Sequence, residues 1–381
     1  MPNNKLPRAV KMTTAALALG VASQASAFEI NAGNGITASI YGYARLNAVY
    51  DIDEDIGVAS GTQGGDFSKV NTGADEDNEV TGHFDADAVQ SRIGVKTTLP
   101  QGVNIVVEGD FRGGTESGGI VRLRHAYGEY NGVLMGRTWS NYNSFVGNTS
   151  VLEFDGIAGN AGYQNRKAQV RYTTGPLSFS VEDSVGAIAE GTRKSGLPTF
   201  TARYESKIDS TRFSTAALVH QVTHDDGVDD DSALGFAVFG ATKIALTDTL
   251  SIQGVLNYTD GANRYLWRSG SNYYGEDAYL VNGDVETITG YGGNIGASLK
   301  VGPGSVNVAI GMVEMDWDDA VDDGLAVGDK HERNTNAMLN YQWKPVQSVN
   351  LGVQYGHFRV KKVNGDDGDA NRVMFAAQYN F

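Results

Sequence analysis

The fold is decided by residues 120–140, IVRLRHAYGEYNGVLMGRTWS, which are typical of a β-hairpin. Two alternating runs meet at Asn131-Gly132, the dipeptide that most readily adopts the positive φ angles of a two-residue type I′ turn. That turn sets a register that predicts three cations on one face: Arg122, Arg124 and Arg137. Unpaired charge is costly in a dry core, so this face is expected to contact water.

The opposite face of the hairpin is mostly apolar and is expected to contact an apolar medium. Its polar exceptions, His125 and Glu129, indicate that part of this face does not contact lipid.

Composition favours a large all-β protein. The 381 residues include 49 Gly, 18 Tyr and 14 Phe but only 7 Pro. With no cysteine in the chain, disulfides, thiolate metal sites, iron–sulfur clusters and cysteine nucleophiles are excluded.

The N-terminus has the pattern of a secretory signal peptide. Lys5, Arg8 and Lys11 precede an apolar run over residues 12–22, and an A-x-A cleavage site follows at 25–27. The apolar run is too short for a transmembrane anchor. We therefore expect residues 1–27 to be cleaved and residues 28–381 to form a single domain.

From residue 36 onward the sequence alternates with a period of two in segments of about ten residues, which predicts strands. Short turns alternate with long segments along the chain, a pattern typical of a transmembrane β-barrel with tight periplasmic turns and long external loops. The prediction is an all-β, 16-stranded antiparallel transmembrane β-barrel with both termini in the periplasm. The last strand, 370–381, presents an apolar face that ends in aromatic residues. The sixteen predicted strands are 36–51, 87–99, 103–112, 120–130, 133–140, 163–174, 177–186, 198–206, 211–222, 232–245, 249–258, 285–300, 304–315, 333–344, 348–360 and 370–381.

Inward-facing cations are predicted to line one arc of this barrel, all on its first six strands: Arg45, Arg92, Lys96, Arg112, Arg122, Arg124, Arg137, Lys167 and Arg171. The segment 139–162 is unusually apolar for an external loop, so it is predicted to fold into the lumen as a constriction loop. Glu153 and Asp155 of this loop would then lie opposite the basic arc and create a transverse field.

Two roles are open for these arginines. They can select anions, because a guanidinium can hold a carboxylate through two hydrogen bonds. They can instead brace the barrel and loop through ion pairs with Glu108, Asp110, Glu153 or Asp155.

The chain carries 45 acidic and 30 basic residues, and the expected mature chain has a formal charge of −18, which makes nucleic acid an unsuitable partner. The acidic residues cluster in predicted external loops, which are solvated surface or bind lipopolysaccharide through divalent cations. No metal site, cofactor site or catalytic motif is assigned, and the chain is predicted not to be an enzyme.

Several segments together resemble the DcaP-like outer-membrane porins, and they lie mainly in the first third of the mature chain. They are YGYARL at 41–46, SRIG at 91–94, VEGDF at 107–111, RLRHAYG at 122–128 and GRTWS at 136–140. The resemblance implies a homotrimer of sixteen-stranded barrels in the Gram-negative outer membrane, with an inward loop and a preference for small anions such as dicarboxylates. By position it implies Arg45, Arg92, Arg122, Arg124 and Arg137 as pore arginines, to which the inward set adds Lys96 and Arg171. Some family members carry a helical extension before the first strand, and none is expected here, because only about eight residues separate the expected cleavage site from that strand.

The function predicted from these features is a passive channel for small anionic solutes. The alternatives are a general-diffusion or cation-preferring porin, an outer-membrane hydrolase whose site is assembled in space, and a structural barrel with a plugged lumen.

Overall fold

The protein, seen here as a computed structural model, is described over residues 28–114 and 119–381. Sixteen antiparallel strands form one closed sheet, which confirms the predicted barrel. The predicted signal peptide lies outside the described residues. The barrel strands are β1 Ile36–Asp51, β2 His83–Asp87 continued by Arg92–Thr98, β3 Asn104–Asp110, β4 Arg122–Tyr130, β5 Val133–Trp139, β6 Arg166–Thr174, β7 Leu177–Glu182, β8 Thr199–Ile208, β9 Thr211–Asp225, β10 Asp230–Ala245, β11 Leu250–Asp260, β12 Thr289–Val301, β13 Gly304–Met315, β14 His331–Val346, β15 Val349–Lys362 and β16 Asp367–Asn380.

The barrel closes where β1 pairs with β2 on one edge and with β16 on the other. At the closure the backbone N–H of Gly42 donates to the carbonyl oxygen of Phe381 at 3.1 Å. The short strand Phe28–Gly33 pairs with the start of β1. Closure removes the sheet edges, so the backbone groups of the strands are satisfied without water, as a bilayer requires.

The β4–β5 hairpin has the predicted turn and register. Asn131 and Gly132 have φ angles of 49° and 80°, the left-handed conformations that a type I′ turn requires. Ala126 pairs with Arg137, which confirms the register within the hairpin.

A β-bulge in β4 overturns the predicted faces of this hairpin. Glu108 of β3 pairs with His125, but the next residue, Gly109, pairs with Leu123, so Arg124 is an extra residue. A bulge of this kind shifts the alternation of side chains along one strand. Arg122 and His125 therefore both face the lumen.

The bulge corrects two predictions. Arg137 lies opposite Ala126, on the face that also carries Met135, so the prediction that Arg137 shares a face with Arg122 and Arg124 is wrong. Glu129 alternates with His125 on the lumen side, so neither residue belongs to the apolar face.

The outer face of the barrel is an apolar band. Ile93, Val107, Leu123, Met135 and Val170 expose between 49% and 59% of their surface, which is the pattern of a lipid-facing surface. The inner face carries buried amides, and Gln253, Asn257, Asn336, Asn340 and Gln354 are at most 6% exposed.

The remaining elements lie in the segments that connect the barrel strands. The external loop after β1 contains the strands Gly57–Val58 and Gly61–Gly65 and the 3-10 helices Phe67–Lys69 and Gly73–Asn78. Two further 3-10 helices, Pro100–Gly102 and Asn263–Tyr265, occupy a turn and a loop, and the α-helix Asp318–Asp322 follows β13. No helix among the described residues has the length and apolarity needed to cross a bilayer.

A small three-stranded sheet of Ile188–Ala189, Ala278–Val281 and Asp284–Thr287 lies in the external loops, and Arg193–Lys194 pairs with β9. The predicted strand 285–300 therefore divides between this sheet and β12.

Candidate functional site

The segment between β5 and β6 folds into the barrel, as predicted. Tyr142, Ala158 and Ala161 are completely buried, and Tyr142 packs against Phe239 of β10 with ring centroids 5.1 Å apart. The apolar side chains of this inward loop are thus covered inside the lumen, where an external position would expose them.

Buried amides on the far strands hold the inward loop. The backbone N–H groups of Leu152 and Ala158 donate to Gln354 at 2.7 Å and to Asn336 at 2.9 Å. Asn336 returns a hydrogen bond to the carbonyl oxygen of Gly156 at 3.0 Å. These contacts fix the loop against β14 and β15.

Each of the two loop carboxylates has at least one cation within 4 Å. Glu153 accepts a hydrogen bond from the backbone N–H of Gly65 at 2.6 Å and lies 3.6 Å from Arg372. Arg372 of β16 also forms a two-fold ion pair with Asp51, at 2.8 and 3.0 Å. Glu153 is 3% exposed, so it anchors the loop and is poorly placed to face a solute.

Asp155 is held in the same way. Its carboxylate accepts from the hydroxyl of Tyr273 at 3.1 Å, and Arg112 and Arg268 each approach within 3.8 Å. Arg268 is fully buried and donates to the carbonyl oxygen of Gly65 at 3.0 Å. Arg112 is one of the cations of the predicted basic arc, so Asp155 lies against part of that arc and does not face all of it across the lumen.

Arg122 and Arg124 are paired with carboxylates of the neighbouring strand. Arg122 forms a two-fold ion pair with Asp110, at 3.0 and 2.7 Å. Arg124 donates to Glu108 and to Asp110, each at 2.8 Å. The geometry of this pair favours the bracing role.

Arg92 contacts the same group of charges from β2. Its Nε lies 3.3 Å from Glu108, and its guanidinium stacks over Tyr43 with 5.0 Å to the ring centroid. We call Arg92, Glu108, Asp110, Arg122 and Arg124 the paired wall.

Arg45 makes contact with neutral partners. Its guanidinium donates to Asn47 at 2.9 Å, to Gln378 at 3.2 Å and to the carbonyl oxygen of Leu152 at 3.1 Å. Since these acceptors carry no charge, the positive charge of Arg45 is not neutralised by an ion pair within 4 Å among the described residues.

Arg166, at the end of the inward loop, was missed by the sequence analysis. It is 6% exposed and lies over Trp139 with 3.7 Å to the ring centroid. Its Nε and one terminal nitrogen are buried without a hydrogen-bond partner within the described part of the chain. Buried donors without acceptors are rare in proteins, and a water molecule or an anion can complete such a position.

Four other cations of the predicted basic arc do not line the main cavity. Lys96 is exposed on the inner face near the periplasmic end of β2, and Arg171 faces inward between Leu134 and Ser180, but neither lines the main cavity. Lys167 pairs with Asp183 at 3.2 Å. Arg137 is likewise absent from the cavity lining.

The strands opposite the paired wall carry a second set of inward cations that the sequence analysis did not assign. These residues alternate with outward apolar residues as the first set does, so a tally of inward cations over all sixteen strands would have found them. They are Lys207, Arg212, Lys243, Lys300 and Lys344.

The lumen encloses a cavity of 1660 Å³ that is open to solvent. Twelve cationic side chains and four carboxylates line it among the described residues. The cations are Arg45, Arg92, Arg112, Arg122, Arg124, Arg166, Lys207, Arg212, Lys243, Arg264, Lys300 and Lys344, and the carboxylates are Glu108, Glu153, Asp155 and Asp248. The chain is acidic overall, but the surface along this cavity has a surplus of positive charge.

Within the described residues, no group of three or more His, Asp or Glu side chains has a geometry that could hold a metal ion.

Comparison with protein families matches residues 14–381 to the model described as DcaP outer membrane protein. Comparison with curated protein sequences gave no match.

Among solved structures, the chain is similar to the outer membrane channel DcaP of Acinetobacter baumannii, with 27% identity and a TM-score of 0.80, covering 93% of this chain and 99% of that one. The anion-selective porin from Comamonas acidovorans shares the fold at 13% identity and a TM-score of 0.59, covering 91% of this chain and 100% of that one. The trimer form of OmpT from Vibrio cholerae shares it at 11% identity and a TM-score of 0.53, with the same coverages.

Proposed function

The chain belongs to the DcaP outer membrane protein family and is a channel of the Gram-negative outer membrane, and from this premise we propose that it is a passive diffusion channel that favours small anions such as dicarboxylates. It carries no catalytic function in this proposal. The predicted signal peptide, residues 1–27, would direct export of the chain toward that membrane before it is cleaved.

The observation that carries the proposal is the surplus of cations along the cavity, which remains when Asp110, the buried partner of Arg122 and Arg124, is counted with the four lining carboxylates. A cleft with low-dielectric walls and one sign of charge concentrates ions of the opposite sign. Rings of Arg and Lys favour anions in other pores for the same reason. The acidic residues in the outer loops raise the net negative charge of the chain without lining this cavity.

Arg166 and Arg45 are the cations best placed to contact a passing carboxylate. Arg166 has buried donors without a partner, and Arg45 has only neutral partners among the described residues. A guanidinium binds a carboxylate through two parallel hydrogen bonds, which suits a solute with a carboxylate at each end. Arg122 and Arg124 serve as braces in this proposal.

We also propose a homotrimer embedded in outer-membrane lipid and lipopolysaccharide. The trimer form of a porin with the same fold supports this assembly for the chain. Three equal conductance steps from a single insertion event would support it as well.

A planar lipid bilayer under a salt gradient tests the selectivity. The expected reversal potential has the sign of an anion-selective pore, because anions accumulate in the basic lumen. A cation-selective potential would favour the general-diffusion or cation-preferring alternative, and the absence of conductance would contradict every channel reading.

Current block by succinate tests the residue assignment. Arg166→Gln should weaken block by about tenfold or more, because a hydrogen bond to a charged group contributes about 1.5–3 kcal/mol. The matched control is Arg359→Gln, since Arg359 is 60% exposed at the external end of β15 and pairs with Asp367 outside the cavity. Equal block in the two variants would remove Arg166 from the solute path.

A further inference from the structure

Three cations form a continuous row on the inner face of β8, β9 and β10, close to the short turns at the periplasmic end. In the register of the sheet Lys207 lies directly opposite Arg212, and Arg212 lies directly opposite Lys243. Lys243 is followed across the sheet by Gln253, whose amide donates to Thr149 of the inward loop at 2.8 Å. This contact places the row on the lumen face. We call Lys207, Arg212 and Lys243 the periplasmic row.

The row is unfavourable for folding. Directly opposite residues of antiparallel strands have Cβ atoms about 4.5–5.5 Å apart, and like charges at such positions destabilise a sheet. None of the three cations has a carboxylate within 4 Å among the described residues. The paired wall avoids this cost because its cations alternate with Asp110 and Glu108.

Nearby carboxylates do not neutralise the row. Glu205, two residues before Lys207, accepts a hydrogen bond from Ser144 of the inward loop at 3.1 Å. Asp248 lines the same cavity, but among the described residues its carboxylate forms no ion pair within 4 Å with any cation of the row. Lys300 and Lys344 add further positive charge beside the row.

We propose that the periplasmic row is a second anion-binding site of the channel, specific for compact anions that carry three or more negative charges. The proposal rests on the proposed anion channel, because such an ion must share its lumen. Adjacent strands lie about 4.8 Å apart, so the three side chains originate within about 10 Å across the sheet. A monovalent anion neutralises one of them, whereas a compact tricarboxylate or a pyrophosphate can neutralise all three together.

The position of the row also predicts that block by a polyanion depends on the side from which it is added. The inward loop contacts the strands between the row and the external mouth, so a polyanion that arrives from the periplasm reaches the row before it reaches Arg166 or Arg45. Block by a polyanion should therefore be stronger from the periplasmic side.

The test is block of single channels by tricarballylate and by pyrophosphate, each added to one side of the bilayer at about 0.1 M salt. In the variant K207Q/R212Q/K243Q, the association rate from the periplasmic side should fall by about tenfold or more, as expected when a focusing field is lost. Acetate should act almost equally on the variant and the unmodified channel. Loss with tricarballylate alone would identify carboxylates as the ligand groups, and loss with pyrophosphate alone would identify phosphates.

The matched control is K194Q/K330Q/K361Q, which also removes three positive charges, but from ion pairs at the external side. This control should retain periplasmic block. If K207Q/R212Q/K243Q forms no channels, the single variant K243Q provides the measurement, with a smaller fall expected in the same direction.

Failure of the second anion site and failure of the proposed function give different results. An anion-selective channel whose polyanion block is unchanged in K207Q/R212Q/K243Q would overturn the second site and leave the proposed function intact. A cation-selective reversal potential in the unmodified channel would overturn the proposed function itself.

Discussion

The paired wall and the periplasmic row both place cations on the inner face of the barrel, but only the paired wall matches them with carboxylates. In the paired wall, Arg122 and Arg124 enclose Asp110, whose side chain is 0% exposed, so each charge is neutralised where water is scarce. In the periplasmic row, cations lie opposite cations, and solvent screens them. The number of arginines in a pore therefore says little about its ion selectivity unless the partners of those arginines are also known.

Substitutions in the two regions should change the free energy of unfolding by different amounts. Removing one partner of a buried ion pair is strongly destabilising, because the remaining charge is left uncompensated. Removing a solvated cation from a like-charged row relieves repulsion and reduces the field in the lumen. Variants of the paired wall should therefore change stability first, and variants of the periplasmic row should change permeation first.

The largest expected effect is that of Asp110→Asn. It leaves Arg122 and Arg124 without their shared carboxylate, and we expect a loss of about 3–5 kcal/mol in the free energy of unfolding. Urea titration of the barrel in lipid vesicles measures this loss. The control is Asp248→Asn, which removes an exposed carboxylate that lines the cavity. Equal stability of the two variants would show that the paired wall is not a brace.

An intermediate effect is expected for Asn336→Ala. Asn336 is 0% exposed and forms one hydrogen bond with Ala158 and one with Gly156 of the inward loop. Leaving those loop groups unpaired should cost about 1–3 kcal/mol and increase the open-channel current noise as the loop loosens. The exposed cavity residue Ser271 supplies the control variant Ser271→Ala. Noise equal to that of this control would mean that other contacts hold the loop.

The smallest effect on stability is expected for Lys243→Gln. The free energy of unfolding should change by less than about 0.5 kcal/mol, because Lys243 is only half-buried and forms no ion pair among the described residues. Anion selectivity should nevertheless fall, and more at low salt than at 1 M, because screening shortens the reach of the remaining charges. A stability loss as large as that of Asp110→Asn would erase the distinction between the two regions.

Local signals explain why the fold could be predicted. Asn131-Gly132 defines its own turn, and the alternation of side chains marks each strand without reference to its neighbours. All sixteen barrel strands were predicted for this reason, and so was the inward loop, whose apolar residues do not suit an external position.

The errors arise where a strand depends on its neighbour. The bulge at Arg124 is a mismatch between β3 and β4, and the alternation in β4 alone does not reveal it. That one residue moves His125 and Glu129 into the lumen and separates Arg137 from the arginine pair. Arg166 was missed because its position over Trp139 depends on the path of the inward loop.

The sequence by itself determined the closed barrel, the register of the β4–β5 hairpin and the basic character of the lumen, because side-chain alternation and turn chemistry act over a few residues. The tertiary structure alone decided which cations are neutralised. An ion pair depends on distances of a few ångströms between strands that are far apart in the chain, and a single bulge changes those distances.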